Sequence, residues 1–313
     1  VLYGQITTQP LEVGMGKSLS SFVEKCSVVL IIIAIFLTQS GVPSVSAAPA
    51  GTALQFNGTN QYATFGRTAP NPGTLMPVAG PPTWTTPANA RLGNSSLQFN
   101  GTSQYVTFGV APDLGATNFT LETWFYWTGA GTTGTTGGGG LLTAIPLITK
   151  GRNEADTSNV DANYYLGIQG GVLAADFEDM ATGANHPVIG TTTITTNTWH
   201  HAAVSYDSAT AVWTLYLDGV VDRTLDIGTN ILPRSDSIQH AAIGSALTSA
   251  GTAAGFFAGR IDEPRVWNIV RSQTEIQGAM NSELISASGL IGRWGLNEGA
   301  AGDRWARRPE AAR

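Results

Sequence analysis

The sequence predicts an all-β fold: two antiparallel sheets packed as a sandwich, with one short C-terminal helix. Three observations predict it. First, Trp199-His-His-Ala-Ala-Val-Ser-Tyr-Asp207 alternates, with Ala202, Val204 and Tyr206 on one side and His201, Ala203 and Ser205 on the other. Second, Ala211 to Val221 alternates in the same way, Trp213, Leu215 and Leu217 against Thr214, Tyr216 and Asp218. Asp218-Gly219 then supplies a type I′ hairpin turn. Third, short strand-like runs separated by turn residues recur from 95 to 297, in a chain with only 12% charged residues.

Taken in order, residues 1–14 carry no usable pattern. Residues 15–47 read as a secretory signal peptide: Lys17 and Lys25 precede the apolar run Ser27 to Leu37, and Val45-Ser-Ala47 offers a cleavage site. That run is shorter than the roughly 20 residues a spanning helix needs. In residues 48–94, Ala53-Leu-Gln-Phe-Asn-Gly58 opens a hairpin that recurs from Ser96-Leu-Gln-Phe-Asn-Gly101. The Pro-rich stretch between the copies reads as a linker or extended strap. The sandwich is expected at 95–297.

Within it, Phe119 to Trp127 is a long strand, with Leu121, Thr123, Phe125 and Trp127 facing away from Thr120, Glu122, Trp124 and Tyr126. Gly129 to Gly140 reads as a loop. Ile145 to Lys150 is a short strand whose Pro146 points to a sheet edge. Asn163–Ile168 and Val172–Phe177 form a hairpin over Gly170-Gly171, and further strands fall at Ser237–Ile243 and Phe256–Trp267. Ser272-Gln-Thr-Glu275 has capping-box spacing, with Ile276 and Met280 on one helical face. Gly289 to Asn297 is the last strand. Residues 298–313 form an irregular tail that reads as truncated, and a natural chain of this kind is expected to continue into further domains.

Net charge is −6. No basic face interleaved with aromatics is visible, which argues against nucleic-acid binding. The single cysteine, Cys26, precludes an intrachain disulfide framework. No serine-nucleophile motif, phosphate loop or zinc signature is present.

Four stretches carry a family resemblance: Leu97-Gln-Phe-Asn-Gly with Tyr105-Val-Thr-Phe; Phe119-Thr-Leu-Glu-Thr-Trp-Phe; the Trp199–Gly219 block; and Phe256-Phe-Ala-Gly-Arg-Ile-Asp-Glu-Pro-Arg-Val-Trp267. Together they resemble the laminin G-like jelly rolls of the concanavalin A-like lectin/glucanase superfamily, of the secreted bacterial multi-domain type; pentraxins share the layout. The resemblance implies a jelly-roll sandwich with ligands at loop edges or on a concave face. Many members bind glycans or proteins, often with calcium, and others are glycosidases, so the fold does not decide the function. Of the two loops that carry pentraxin-type calcium sites, the first holds Asn153, Glu154 and Asp156. The second, between Gly244 and Phe256, has no carboxylate, so the double site is not carried over.

The sharpest chemical feature is Ala175-Asp-Phe-Glu-Asp179. Asp176 and Glu178 share a strand face, which puts their carboxylates about 5–7 Å apart. That suits a calcium site completed by Asp161 and Asp179, or a retaining glycosidase pair; the plainer reading is a solvated strand end. The near-match to an E-x-D-x-x-E motif, Glu154 to Asn159, lacks its final Glu and lies in a loop. His200 and His201 face opposite sides of a strand and so serve structure. Asp262 and Glu263 read as turn and ion-pair residues, with Arg260 or Arg265 as partners.

The expectation is therefore a secreted, non-enzymatic binding or adhesion module for a glycan or cell-surface protein, calcium-assisted through Asp161, Asp176, Glu178 and Asp179. It would be extracellular or at the cell surface, with no membrane segment after signal-peptide cleavage. The alternatives are a glycoside hydrolase on the same fold and a structural spacer in a larger surface protein.

Overall fold

The computed structural model describes residues 71–154, 159–284 and 286–297. The signal peptide, the first repeat hairpin, Asp156 and the C-terminal tail lie outside the described residues.

In chain order the strands are β1 (Thr74–Met76), β2 (Thr83–Trp84), β3 (Leu97–Asn100), β4 (Tyr105–Gly109), β5 (Phe119–Thr132), β6 (Ala144–Lys150), β7 (Tyr164–Gln169), β8 (Val172–Asp176), β9 (Val188–Ile189), β10 (Trp199–Asp207), β11 (Val212–Leu217), β12 (Val220–Asp226), β13 (Ala241–Ile243), β14 (Ser245–Leu247), β15 (Ala253–Trp267) and β16 (Leu290–Arg293). Helix α1 covers Gln273–Ala279. They form two antiparallel sheets. The seven-stranded sheet runs β1-β4-β13-β6-β7-β8-β9; the nine-stranded sheet runs β12-β11-β10-β5-β15-β3-β2, with β14 and β16 also pairing β15.

The core lies between the sheets, and alternation builds it. Leu121, Phe125 and Trp127 of β5, Ala202, Val204 and Tyr206 of β10, and Trp213, Leu215 and Leu217 of β11 meet Leu166, Ile168, Leu173 and Phe177 of the facing sheet. Rings do much of the packing: Phe119, Phe177 and Tyr206 surround Trp213 with centroids 5.6, 5.1 and 5.0 Å from it. Asp218 (φ 53°) and Gly219 (φ 76°) both have positive φ, as a type I′ turn requires.

Helix α1 forms where its capping box predicts. The Ser272 side chain accepts from the Glu275 N–H while the Glu275 carboxylate accepts from the Ser272 N–H. Ile276 packs with Ala203 and Tyr216 on the outer face of the nine-stranded sheet. Beneath the helix that face is ionic: Glu122, fully buried, takes Arg271 at 2.7 Å and Arg265 at 3.5 Å.

Three expectations need correction. The Pro-rich stretch adds strands: β1 pairs β4 and β2 pairs β3, and the compact unit holding the sandwich begins at Ala69. Strand β6 is interior, between β13 and β7, despite Pro146. Strand β13 pairs only Ile148, Thr149 and Lys150, and the ladder to β7 shifts register between Pro146 and Ile148. The missing N–H thus falls at a bulge, past the end of a neighbour. Finally, β5 continues into the Gly/Thr stretch as far as Thr132, paired with Phe256 and Phe257 of β15. Backbone pairing there needs no alternation of side chains.

Candidate functional site

Asp176 ends β8 on the outer face of the seven-stranded sheet, beside Ala174. The Gly-rich segment 133–143 folds over that face, and Leu141 packs with Ala144, Tyr165, Ala174 and Ala246. Asp176 is sealed beneath it. One oxygen accepts from Thr136 Oγ1 (2.5 Å) and the Leu141 N–H (3.3 Å); the other accepts from the Phe177 and His186 N–H groups (2.9 Å each). Burial pushes its pKa up to about 7 against the pull of these donors.

Asp161, Glu178 and Asp179 gather around Arg234. Asp161 pairs with Arg234 Nη2 at 2.7 Å. The Arg234 backbone N–H donates to Glu178 O at 3.0 Å and its Nη2 to Asp179 O at 3.3 Å. The Glu178 carboxylate accepts from the Ala162 N–H and, at 3.4 Å, from Asn185 Nδ2. Asp179 accepts from the Ala181 and Thr182 N–H groups and the Thr182 hydroxyl, and meets His186 Nε2 at 3.0 Å. All four carboxylates are buried, at 5% exposure or less.

This set does not fit calcium. The ion needs several hard oxygens directed at one point. Here a guanidinium already neutralises Asp161 and would repel a second cation beside it. Among the described residues no group of three or more His, Cys, Asp or Glu side chains converges as metal ligands do. Nor do Asp176 and Glu178 line an open cleft as a glycosidase pair would. Glu154, of the first pentraxin-type loop, instead accepts from Ser249 N–H (2.8 Å), Ser249 Oγ (2.6 Å) and Gln239 Nε2 (3.0 Å), so the two loops are tied together.

The histidines behave as alternation requires. His200 lies between Asp218 Oδ2 (Nδ1, 2.7 Å) and Thr195 Oγ1 (Nε2, 2.7 Å), while His201 on the opposite face lies 3.6 Å from Glu122. Glu263 pairs with Arg265 at 3.1 Å and with Arg293, and Asp262 accepts from the Arg91 and Leu92 N–H groups. Arg260, offered as a possible partner for them, is elsewhere.

Arg260 belongs to a site that the sequence reading missed. On the outer face of the nine-stranded sheet, beyond the helix, register aligns Trp199 of β10 with Tyr126 of β5, Tyr126 with Arg260 of β15, Arg260 with Gln98 of β3, and Gln98 with Thr83 of β2. At about 4.8 Å per strand, the four steps span about 19 Å. Tyr126 and Trp199 meet edge to face with centroids 5.9 Å apart. The Arg260 guanidinium carbon sits 3.8 Å from the Tyr126 ring centre and 5.7 Å from that of Trp199. All three are half-buried. Their neighbour Trp124 is buried and capped by Arg91 at 3.7 Å. The result is a band of half-buried aromatic, guanidinium and amide side chains on the outer face of the sheet. The available signal was that strand alternation puts Tyr126 and Trp199 on the side away from the core.

A laminin G-type family model, described as "Concanavalin A-like lectin/glucanases superfamily", matches residues 100–277, more than half of the chain. No curated protein matches. Similar solved structures include a Bacteroides ovatus protein assigned a carbohydrate-binding role (20% identity, TM-score 0.41, covering 58% of this chain and 46% of that one). Others are domain 4 of an extracellular arabinanase from Geobacillus stearothermophilus in complex with arabinotriose (15%, 0.45, 66% and 85%) and the CBM40 of the Ruminococcus gnavus IT-sialidase bound to α2,3 sialyllactose (15%, 0.45, 60% and 98%). The present chain thus spans less than half of the first of these.

Proposed function

The chain belongs to the concanavalin A-like lectin/glucanases superfamily, and we propose that within it the protein is a non-enzymatic glycan-binding module. The supporting observation is the solvent-facing row Trp199, Tyr126, Arg260 and Gln98. Aromatic faces give apolar area at low conformational cost and pack against the C–H face of a sugar ring, while adjacent polar groups bond its hydroxyls. The row is built on strands, which holds its geometry fixed. A catalytic role finds no support in the carboxylates: Asp176 and Glu178 are buried and hydrogen-bonded within the protein.

Binding to a glycan array, followed by calorimetry on the hits, tests the reading. Replacing Trp199 and Tyr126 together by alanine should abolish binding while the protein remains folded, and no glycan should be hydrolysed. Retained binding in that variant would sink the site. Absence of binding to any glycan would favour a protein ligand or a spacer role. In this reading calcium is not required, because the expected ligands Asp161, Asp176, Glu178 and Asp179 are already paired within the protein; affinity lost in EDTA and restored by calcium would contradict that. A location outside the cell goes with the proposal and rests on residues 15–47. Recovery of mature protein beginning at Ala48 from culture medium would support it, and retention of the whole chain in the cytoplasm would contradict it.

A further inference from the structure

Four arginines among the described residues of the sandwich are engaged in ion pairs; Arg260, like Arg91, Arg152 and Arg223, is not. Arg234, Arg265, Arg271 and Arg293 each meet a carboxylate within 4.0 Å. Arg260 meets none among the described residues, although the protein as a whole is acidic. It is nevertheless held in place: Nη1 donates to Asn89 Oδ1 at 2.7 Å and to Asn89 O at 3.3 Å, and the guanidinium carbon lies over the Tyr126 ring, 3.8 Å from its centre. The two contacts fix its position and leave the Nε and Nη2 donors without a partner among the described residues. A guanidinium fork fixed by stacking and lacking a counter-ion is pre-organised for a planar anion, which it takes through two parallel N–H···O bonds.

Resting on the glycan-binding reading above, we propose that the sugar taken at this row carries a carboxylate, and that Arg260 selects it. The carboxylate pairs with the free edge of Arg260 while the ring packs against Trp199 beside it, the guanidinium itself covering Tyr126. Uronic acids and nonulosonic acids such as sialic acid share this chemistry. A free inorganic anion does not use the aromatic faces, and a neutral sugar does not use the unpaired charge.

The test is calorimetric titration of the full chain with trigalacturonic acid, its fully methyl-esterified counterpart, 3′-sialyllactose and lactose. One acidic ligand should bind about tenfold more tightly than its uncharged counterpart, since a charge-assisted bond exceeds a neutral one by about that margin. The arm that responds identifies the source of the carboxylate. Arg260→Gln should remove the preference and leave weak binding common to charged and neutral sugars. Arg260→Lys keeps the charge but not the fork and should keep only part of the preference; a thermal melt of each variant checks that the fold is intact. Equal binding of charged and neutral sugars, or a preference unchanged in Arg260→Gln, overturns the selection by Arg260 and leaves the glycan-binding reading standing. Failure to bind any of the four sugars while another glycan on the array binds overturns the selection alone; failure to bind any glycan at all overturns both.

Discussion

Asp176 and Arg234 show how buried charge can serve structure in this sandwich. The raised pKa of Asp176 means that the folded state holds its proton more firmly than the unfolded chain, where an aspartate titrates near 3.9. The associated stability is complete below about pH 4 and is lost as pH rises through about 7. Asp176→Asn is neutral at every pH, so its melting temperature should gain on that of the parent between pH 5 and pH 8. A difference that stays constant across that range would mean the carboxylate is not perturbed as described. Arg234 is tested differently. Arg234→Met removes the guanidinium that pairs with the buried Asp161 carboxylate and should cost about 3–5 kcal/mol in urea denaturation. Adding Asp161→Asn should recover part of that loss. If the double variant is as unstable as the sum of the two single ones, the pair is not coupled as its 2.7 Å contact implies.

At the scale of elements, legibility followed the physics of each signal. The β10-β11-β12 meander could be read because period-2 alternation survives in Trp213, Leu215 and Leu217, and the Asp-Gly turn marks its corner. The helix could be read because its cap is local, four residues long. Pro146 misled because interior or edge position depends on where a neighbouring strand ends, and no local pattern records that. The row Trp199-Tyr126-Arg260 was half legible: alternation gives the face, whereas cross-strand register, which brings Arg260 over Tyr126, is a tertiary fact. Of the carboxylates, Asp161, Glu178 and Asp179 gather around Arg234, which is far from Asp161 in sequence, while Asp176 is held by Thr136 and Leu141; neither arrangement leaves a local pattern to read. Turn and helix also depend on each other. The Gly219 carbonyl accepts from Gln273 and Gln277 Nε2 at 2.9 and 2.8 Å, and a Cβ on Gly219 would lie 2.9 Å from Gln277 Cγ. Gly219→Ala therefore combines a positive φ with a crowded contact, and should cost about 1 kcal/mol or more. A neutral effect on the melting curve would show that the turn and α1 are not coupled.

Across the whole molecule, the segment before the second repeat hairpin belongs to the sandwich. Strands β1 and β2 extend one sheet each, and the residues between β2 and β3 reach the outer face. The Arg91 and Leu92 N–H groups donate to Asp262 at 2.8 and 2.9 Å, Arg91 caps Trp124, and Asn89 steadies Arg260. Removing residues 69–94 would strip β3 and β4 of edge partners, leave the buried Asp262 carboxylate without two donors, and free the guanidinium of the binding row. An unsatisfied buried polar group alone costs about 1–3 kcal/mol. A fragment starting at 95 should therefore melt well below one starting at 69, and it should lose sugar affinity even at temperatures where it is still folded. Equal melting points would make the segment a dispensable strap; equal affinity with unequal stability would mean that Asn89 has no part in holding Arg260 for its ligand.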